Sequence, residues 1–201
     1  MRRSEIRELY FICPISNLIS VCTKGILCHN EAKHLRPTSV ADPRIQERRD
    51  GVVVPGISKE LHDFANLYLN PRNPMMFKIR AEHEDLCIIR LSADVLDEKN
   101  VLITDGNASS EYVRFFESPG GIAQLDSEDV FREDWRHGNT YEYWRRKRCV
   151  CAEVLVPTSV PPKFIVGIYV SCSDARNKVV GLLAKNSFST KVSINADLFF
   201  Q

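Results

Sequence analysis

No apolar run in this 201-residue sequence approaches the roughly 20 residues that span a bilayer, and the stretch after Met1-Arg2-Arg3 is broken by Pro14 and Asn17. Neither membrane insertion nor export is expected. An excess of charge of one sign is missing too. The 27 basic and 26 acidic residues leave a net +1, so any hold on nucleic acid must come from local patches rather than from an overall field. There is no glycine-rich phosphate loop and no Gly-x-Ser-x-Gly elbow, and Cys22, Cys28, His29 and His34 lack paired Cys-x-x-Cys spacing. P-loop and hydrolase-elbow chemistry are therefore not expected, and no metal is predicted. The seven cysteines are odd in number and scattered, unlike the dense even framework of a small secreted protein, which points to a reducing cytoplasm. Repeats and low-complexity tracts are also lacking, and the length predicts one domain over residues 1–201.

What is present is a set of short elements. Leu9-Tyr10-Phe11-Ile12 reads as a strand, followed by a helix that Ser16 would cap and Lys24-Gly25 would stop. Asp42-Pro43 opens a short helix through Arg44, Glu47 and Arg48 within an otherwise polar stretch from Leu35 to Lys59. Met75–Ile79, Leu86–Leu91, Val101–Thr104 and Ile165–Val170 are short, apolar and bounded by polar residues, which predicts strands. Helix starts are expected at Ser92-Ala93-Asp94 and Ser127-Glu128-Asp129, with a further helix over Tyr141–Lys147. The mixture predicts an α+β fold.

Cys149–Val156 is apolar on both alternating faces, the pattern of a doubly buried strand, except at Glu153. A buried, ionised carboxylate costs on the order of several kcal/mol unless it is partnered. Two readings stay open: an ion pair with Arg145, Arg146 or Arg148 just upstream, or a catalytic carboxylate. Arg145-Arg146-Lys147-Arg148, with Trp135, Tyr141, Tyr143 and Trp144, combines cations with flat aromatic faces. That combination suits a phosphate backbone and unstacked bases, though a solvated amphipathic helix has the same composition. Arg48 and Arg49 offer guanidinium forks for a diphosphate or ribose. Leu61–Phe77, with its aromatics, two prolines and locally hydrogen-bonding side chains, reads as a shaped loop.

Several stretches, in order along the chain, resemble the DarT family of DNA ADP-ribosyltransferases, toxins of toxin–antitoxin pairs. They are Tyr10-Phe11-Ile12 with Asn17-Leu18, Gly25-Ile26-Leu27, Ile45-Gln46-Glu47-Arg48-Arg49, Leu61-His62-Asp63-Phe64, Pro71-Arg72-Asn73-Pro74-Met75 and Cys151–Val156. The resemblance implies the split mixed β-sheet of ADP-ribosyltransferases with flanking helices. It implies Glu153 as the catalytic glutamate and Arg49 as the arginine beside the reacting ribose of NAD, which is consumed as co-substrate. Tyr10, Phe11, Ile12, Asn17, Leu18, His62 and Tyr68 are the further NAD-binding positions it implies. Arg72, Tyr143, Trp144, Arg145, Arg146 and Arg148 are the implied contacts to single-stranded DNA. A macrodomain antitoxin of the DarG type is the implied partner.

One departure stands out. Many relatives, especially thymidine modifiers, carry a histidine and a threonine where this chain has Phe11 and Cys13, and neither replacement is a good partner for a ribose hydroxyl. Backbone groups of Phe11 and Ile12 are then expected to take over part of that work. The Asn66-Leu67-Tyr68 and Pro71–Met75 wording resembles the guanine-modifying branch, so guanine is the expected acceptor. Thymidine, an RNA or protein acceptor, and a binding module without catalysis are the alternatives.

Overall fold

The computed structural model describes residues 1–201. Along the chain run β1 (Glu8–Pro14), α1 (Leu18–Lys24), β2 (Ile26–Leu27), α2 (His29–Ala32), α3 (Pro43–Arg49), β3 (Phe64–Tyr68), α4 (Pro74–Ile79) and β4 (Leu86–Ser92). Then come β5 (Leu102–Thr104), β6 (Phe115–Glu117), α5 (Ser127–Val130), α6 (Thr140–Cys149), β7 (Glu153–Pro157), β8 (Ser159–Val160), β9 (Ile165–Val170), α7 (Ser173–Lys185) and β10 (Val192–Ile194). Eight strands form one sheet in the order β10-β9-β4-β1-β3-β7-β5-β6, and β2 pairs with β8 alone. Only the β9–β10 pair is parallel, so the large sheet is mixed and the fold is α+β, as expected.

Alternation along the central strands buries both faces. Leu9 and Cys13 of β1 and Ile89 of β4 join a core of 32 buried residues, while Ile12 and Ile88 enter a second cluster with Tyr68, Met76 and Phe199. Each fully buried Leu or Ile is worth about 1.5–3 kcal/mol, so both faces hold the sheet in register. Gly25 ends α1 at φ +86°, and a Cβ there would lie 2.2 Å from the Val160 carbonyl oxygen. Only glycine allows β2 to turn onto β8 at that point.

Five sequence expectations are corrected. Leu61–Phe77 is not a loop throughout, since β3 occupies Phe64–Tyr68 and α4 starts at Pro74. Met75–Ile79 is helical, because the Asn73 carboxamide accepts from the Met75 and Met76 N–H groups at 3.0 and 3.1 Å and Pro74 follows it. Asn-Pro there is a helix start, and Met75, Met76 and Ile79 form its buried stripe. Cys149–Val156 is not one strand: α6 runs to Cys149 and β7 begins at Glu153. Between them the N–H groups of Val150, Cys151 and Ala152 bond back to Arg146, Arg148 and Cys149, a tight turn that buries the same apolar residues. A short apolar run cannot by itself separate these outcomes. The first helix is entered through a 3₁₀ turn over Ile15–Asn17 rather than capped by Ser16, and the cap before α5 is Asp126, one residue ahead of Ser127.

The sheet forks at its centre. β1 pairs with β4 along its whole length but meets β3 at one position, Tyr10 opposite Tyr68. β3 pairs with β7 from Phe64 to Tyr68, and Tyr68 lies opposite Glu153. Tyr10, Tyr68 and Glu153 therefore stand in one row at the vertex of the fork.

Candidate active site

A cleft of about 2020 Å³ opens over this fork. Its walls include Phe11 and Ile12 from β1, Asn66 and Tyr68 from β3, Arg48 and Arg49 from α3, and Tyr143, Trp144, Arg145, Lys147 and Arg148 from α6. Asp42 and Pro43 start α3, the Asp42 carboxylate accepting from the Arg44 N–H, and the helix delivers Arg49 at its last position. Arg49 is 5% exposed, and its Nη1 donates to both oxygens of Glu153 at 3.0 and 3.2 Å. Glu153, fully buried, also accepts from the Ala108 N–H through Oε1 at 3.0 Å. A carboxylate has about four acceptor sites, so one remains on Oε2. Arg49 rather than Glu153 reaches the cleft wall.

The partner of Glu153 thus lies 104 residues away and not in the basic segment. Of the two open readings of Glu153, the local ion pair does not hold, because those arginines face other carboxylates. Arg145 pairs with Asp129 at 2.6 Å and with Glu142, Arg146 lies 3.5 Å from Glu142, and Arg148 pairs with Asp105 at 2.8 Å. Of the four cations in that run, Lys147 alone lacks a carboxylate. Its Nζ donates to the Tyr143 hydroxyl and lies over the Tyr143 and Trp144 rings at 5.3 and 5.0 Å.

The structure adds residues the sequence did not signal. Thr104 Oγ1 donates to the Gly106 carbonyl at 2.7 Å and accepts from the Glu153 N–H at 3.1 Å. A Cβ on Gly106 would lie 2.6 Å from Arg148 Cγ, so the absent side chain lets this loop close on α6. The 104–108 loop thereby grips Glu153 by both backbone and carboxylate. Nothing about a Thr-Asp-Gly-Asn run distinguishes it, before folding, from an ordinary turn.

Burial shapes the surrounding acidities. The Tyr68 hydroxyl is pushed up, first by burial and then by Glu153, and donates to Met75 Sδ at 3.5 Å. The Cys151 thiol rises to about 12 for the same two reasons. His62 is lowered by burial, then by His29 and Arg49. Its ring stacks on His29 at 4.2 Å, and its Nε2 is buried without a hydrogen-bond partner.

A family model described as "ssDNA thymidine ADP-ribosyltransferase, DarT" matches residues 10–200. The chain belongs to the DarT family. It is 34% identical over 176 residues to a DNA ADP-ribosyl transferase–DNA ADP-ribosyl glycohydrolase fusion protein of Thermosipho africanus, a match covering 83% of this chain and 43% of the fusion. The chain therefore spans less than half of that relative's length. The solved Thermosipho africanus DarTG in complex with ADP-ribose aligns with a TM-score of 0.81 and 29% identity, over 96% of this chain and 51% of that one. Thermus sp. 2.9 DarT in complex with ADP-ribosylated single-stranded DNA aligns at 0.84 and 26%, over 97% of both chains.

Mapped onto this DarT fold, the predicted positions divide. Phe11, Ile12, Asn17, Arg49, His62, Tyr68, Tyr143, Trp144, Arg145 and Arg148 line the cleft. Tyr10 sits in the vertex row, half-buried against the second cluster. Leu18 is fully buried in the main core and supports the cleft from beneath. Arg146 points into its pair with Glu142. Arg72 donates to the carbonyls of Asp197 and Glu133 and lies over Phe200, away from the cleft, so its guanidinium is spent on holding the chain's C-terminal end. Cys13 is buried in the main core. Phe11 packs against that same core and also lines the cleft.

Proposed function

We propose that this chain transfers ADP-ribose from NAD to a base of single-stranded DNA, guanine before thymine, as the toxin of a toxin–antitoxin pair. The observation that carries the reading is the Arg49–Glu153 pair, buried at the vertex of a forked sheet beneath a large cleft with an aromatic wall. The cleft is large enough for a dinucleotide, and its lining includes the orphaned His62 Nε2, a buried polar atom that lacks a partner for its hydrogen bond. Beyond Tyr10 the β3-facing edge of β1 is free of strand pairing; Phe11 and Ile12 turn their backbone groups to opposite edges, so one of the two offers its N–H and C=O there to a ligand while the other bonds to β4.

Cleavage of the nicotinamide bond places positive charge on the ribose, and a fixed carboxylate lowers that barrier. Arg49 turns from the carboxylate toward the ribose or diphosphate as NAD enters. Glu153 then accepts from the ribose hydroxyl beside the reacting carbon at its free Oε2 site and assists removal of the proton from the attacking base nitrogen. Tyr143 and Trp144 stack on the unpaired base or its neighbours. ADP-ribose and ADP-ribosylated DNA in the solved relatives support donor and acceptor alike.

The Asn66-Leu67-Tyr68 and Pro71–Met75 stretches support guanine, as does Phe11 in place of histidine. Thymine is the second reading, favoured by the description of the family model. The glycohydrolase half of the Thermosipho fusion supports a partner that removes the modification. Mass spectrometry of nucleosides from single-stranded DNA incubated with NAD and the protein tests acceptor and base together. Glu153→Ala is expected to abolish labelling while remaining folded. Full labelling by that variant would sink the assignment, and an adduct on thymidine alone would overturn the choice of guanine.

A further inference from the structure

The cations of the basic segment are mostly neutralised, yet the cleft has a second rim that the sequence reading passed over. Met75, at the start of α4, receives the Tyr68 hydroxyl, and Tyr68 is the register partner of Glu153. Two residues further on, Phe77 lines the cleft with 42% of its surface exposed. Its ring meets Trp135 at 5.8 Å and Phe200 at 5.2 Å, both edge-on, which fixes its orientation. The Arg80 guanidinium lies 3.9 Å over the Phe77 ring. Arg80 has no carboxylate partner, and only its Nη1 is engaged, by the Phe77 carbonyl at 2.6 Å. Neighbouring Lys78 is taken by Asp42. The same lining holds a second exposed aromatic with an uncompensated cation, Trp144 with Lys147.

We infer that Phe77 and Arg80 form a second DNA subsite, which holds a nucleotide flanking the modified base. The inference rests on the function proposed above. A single strand laid in the cleft meets one aromatic and cation set on α4 and its end and another on α6. An exposed ring held edge-on by two others offers a base the face that Arg80 does not cover, at little entropic cost, and the guanidinium over its other face, free of any carboxylate, suits the adjoining phosphate. This pairing is sequence-tolerant, since every base has a flat face. It therefore sets the length of DNA that must be present rather than which base is modified.

The test compares wild type, Phe77→Ala, Phe77→Leu and Arg80→Gln on mixed-sequence single-stranded oligonucleotides of graded length. Transfer and anisotropy binding are both measured. On long oligonucleotides Phe77→Ala should raise KM for DNA by at least about 5-fold, the low end of stacking per base, with kcat and KM for NAD unchanged. Phe77→Leu should do the same while restoring packing. The effect should vanish on oligonucleotides too short to reach α4, or when the flanking nucleotide is made abasic. Arg80→Gln should lower the slope of log affinity against log salt by about 0.7, one phosphate on a single strand. Equal losses on short and long DNA, or unchanged KM for DNA, would overturn the subsite while leaving the transferase reading intact. Wild type that neither labels nor binds any single strand would overturn both.

Discussion

Replacing Arg49 by methionine keeps the linear bulk of the side chain and removes the only cation beside a fully buried carboxylate. Glu153 would then retain one hydrogen bond, from the Ala108 N–H, of the three it accepts. Breaking one side of a buried pair costs about 3–5 kcal/mol. For a chain of this length, about 2–4 °C per kcal/mol converts that to a fall in Tm of roughly 6–20 °C. Glu153→Gln leaves a buried guanidinium unpaired and should cost a similar amount. The double variant buries neither charge, and uncharged replacements of buried pairs are often neutral. It should regain most of the loss, less about 1–3 kcal/mol for the stranded amide. Thermal and denaturant unfolding of the four proteins closes the cycle, with an expected coupling of about 3–9 kcal/mol, the sum of the two single losses less that of the double variant. High salt should not rescue the single variants, because a buried pair is little screened. All three variants should lack transfer activity. Losses that add in the double variant to within about 0.5 kcal/mol would refute the reasoning, since they would mean the two charges do not depend on each other.

Two further outcomes are expected. Thr104→Val strands the buried Glu153 N–H and Gly106 carbonyl, so it should cost about 1–3 kcal/mol in denaturant unfolding and slow transfer, with Thr104→Ser restoring both. His62 has its folded pKa depressed by burial, His29 and Arg49, so the unfolded chain binds the extra proton. Its stability contribution is full above the ordinary imidazole value of about 6.5 and is lost as pH falls below it. His62→Phe should therefore flatten the acid limb of Tm against pH, and an unchanged limb would assign that limb to another group.

Legibility followed the range of the interaction. Gly25, Asp42-Pro43 and the apolar stretches of β1, β4 and β9 announce themselves because caps, turns and alternation act within a few residues. The same local chemistry is present at Asn73-Pro74, where the cap outweighs the apolar run after it and starts α4. The fork of the sheet was not readable from composition or periodicity. It arises because β1 and β3 part after one pair, a fact about two strands more than 50 residues apart.

At the site, Glu153 was visible as a charge out of place, but the identity of its partner was not. Counting cations along the chain favoured the nearest arginines, yet an arginine's availability depends on which carboxylates the fold brings to it. Asp129, Glu142 and Asp105 compensate the run before Glu153, and that leaves Arg49 to reach the glutamate from α3. Neutralised arginines release few counterions when a polyanion approaches, so on the function proposed above the hold on a single strand rests on the aromatic faces and on the cleft cations without a carboxylate, Arg36, Arg48, Arg80 and Lys147. On that proposal a chain with net charge +1 works on a polyanion because stacking supplies what its field does not.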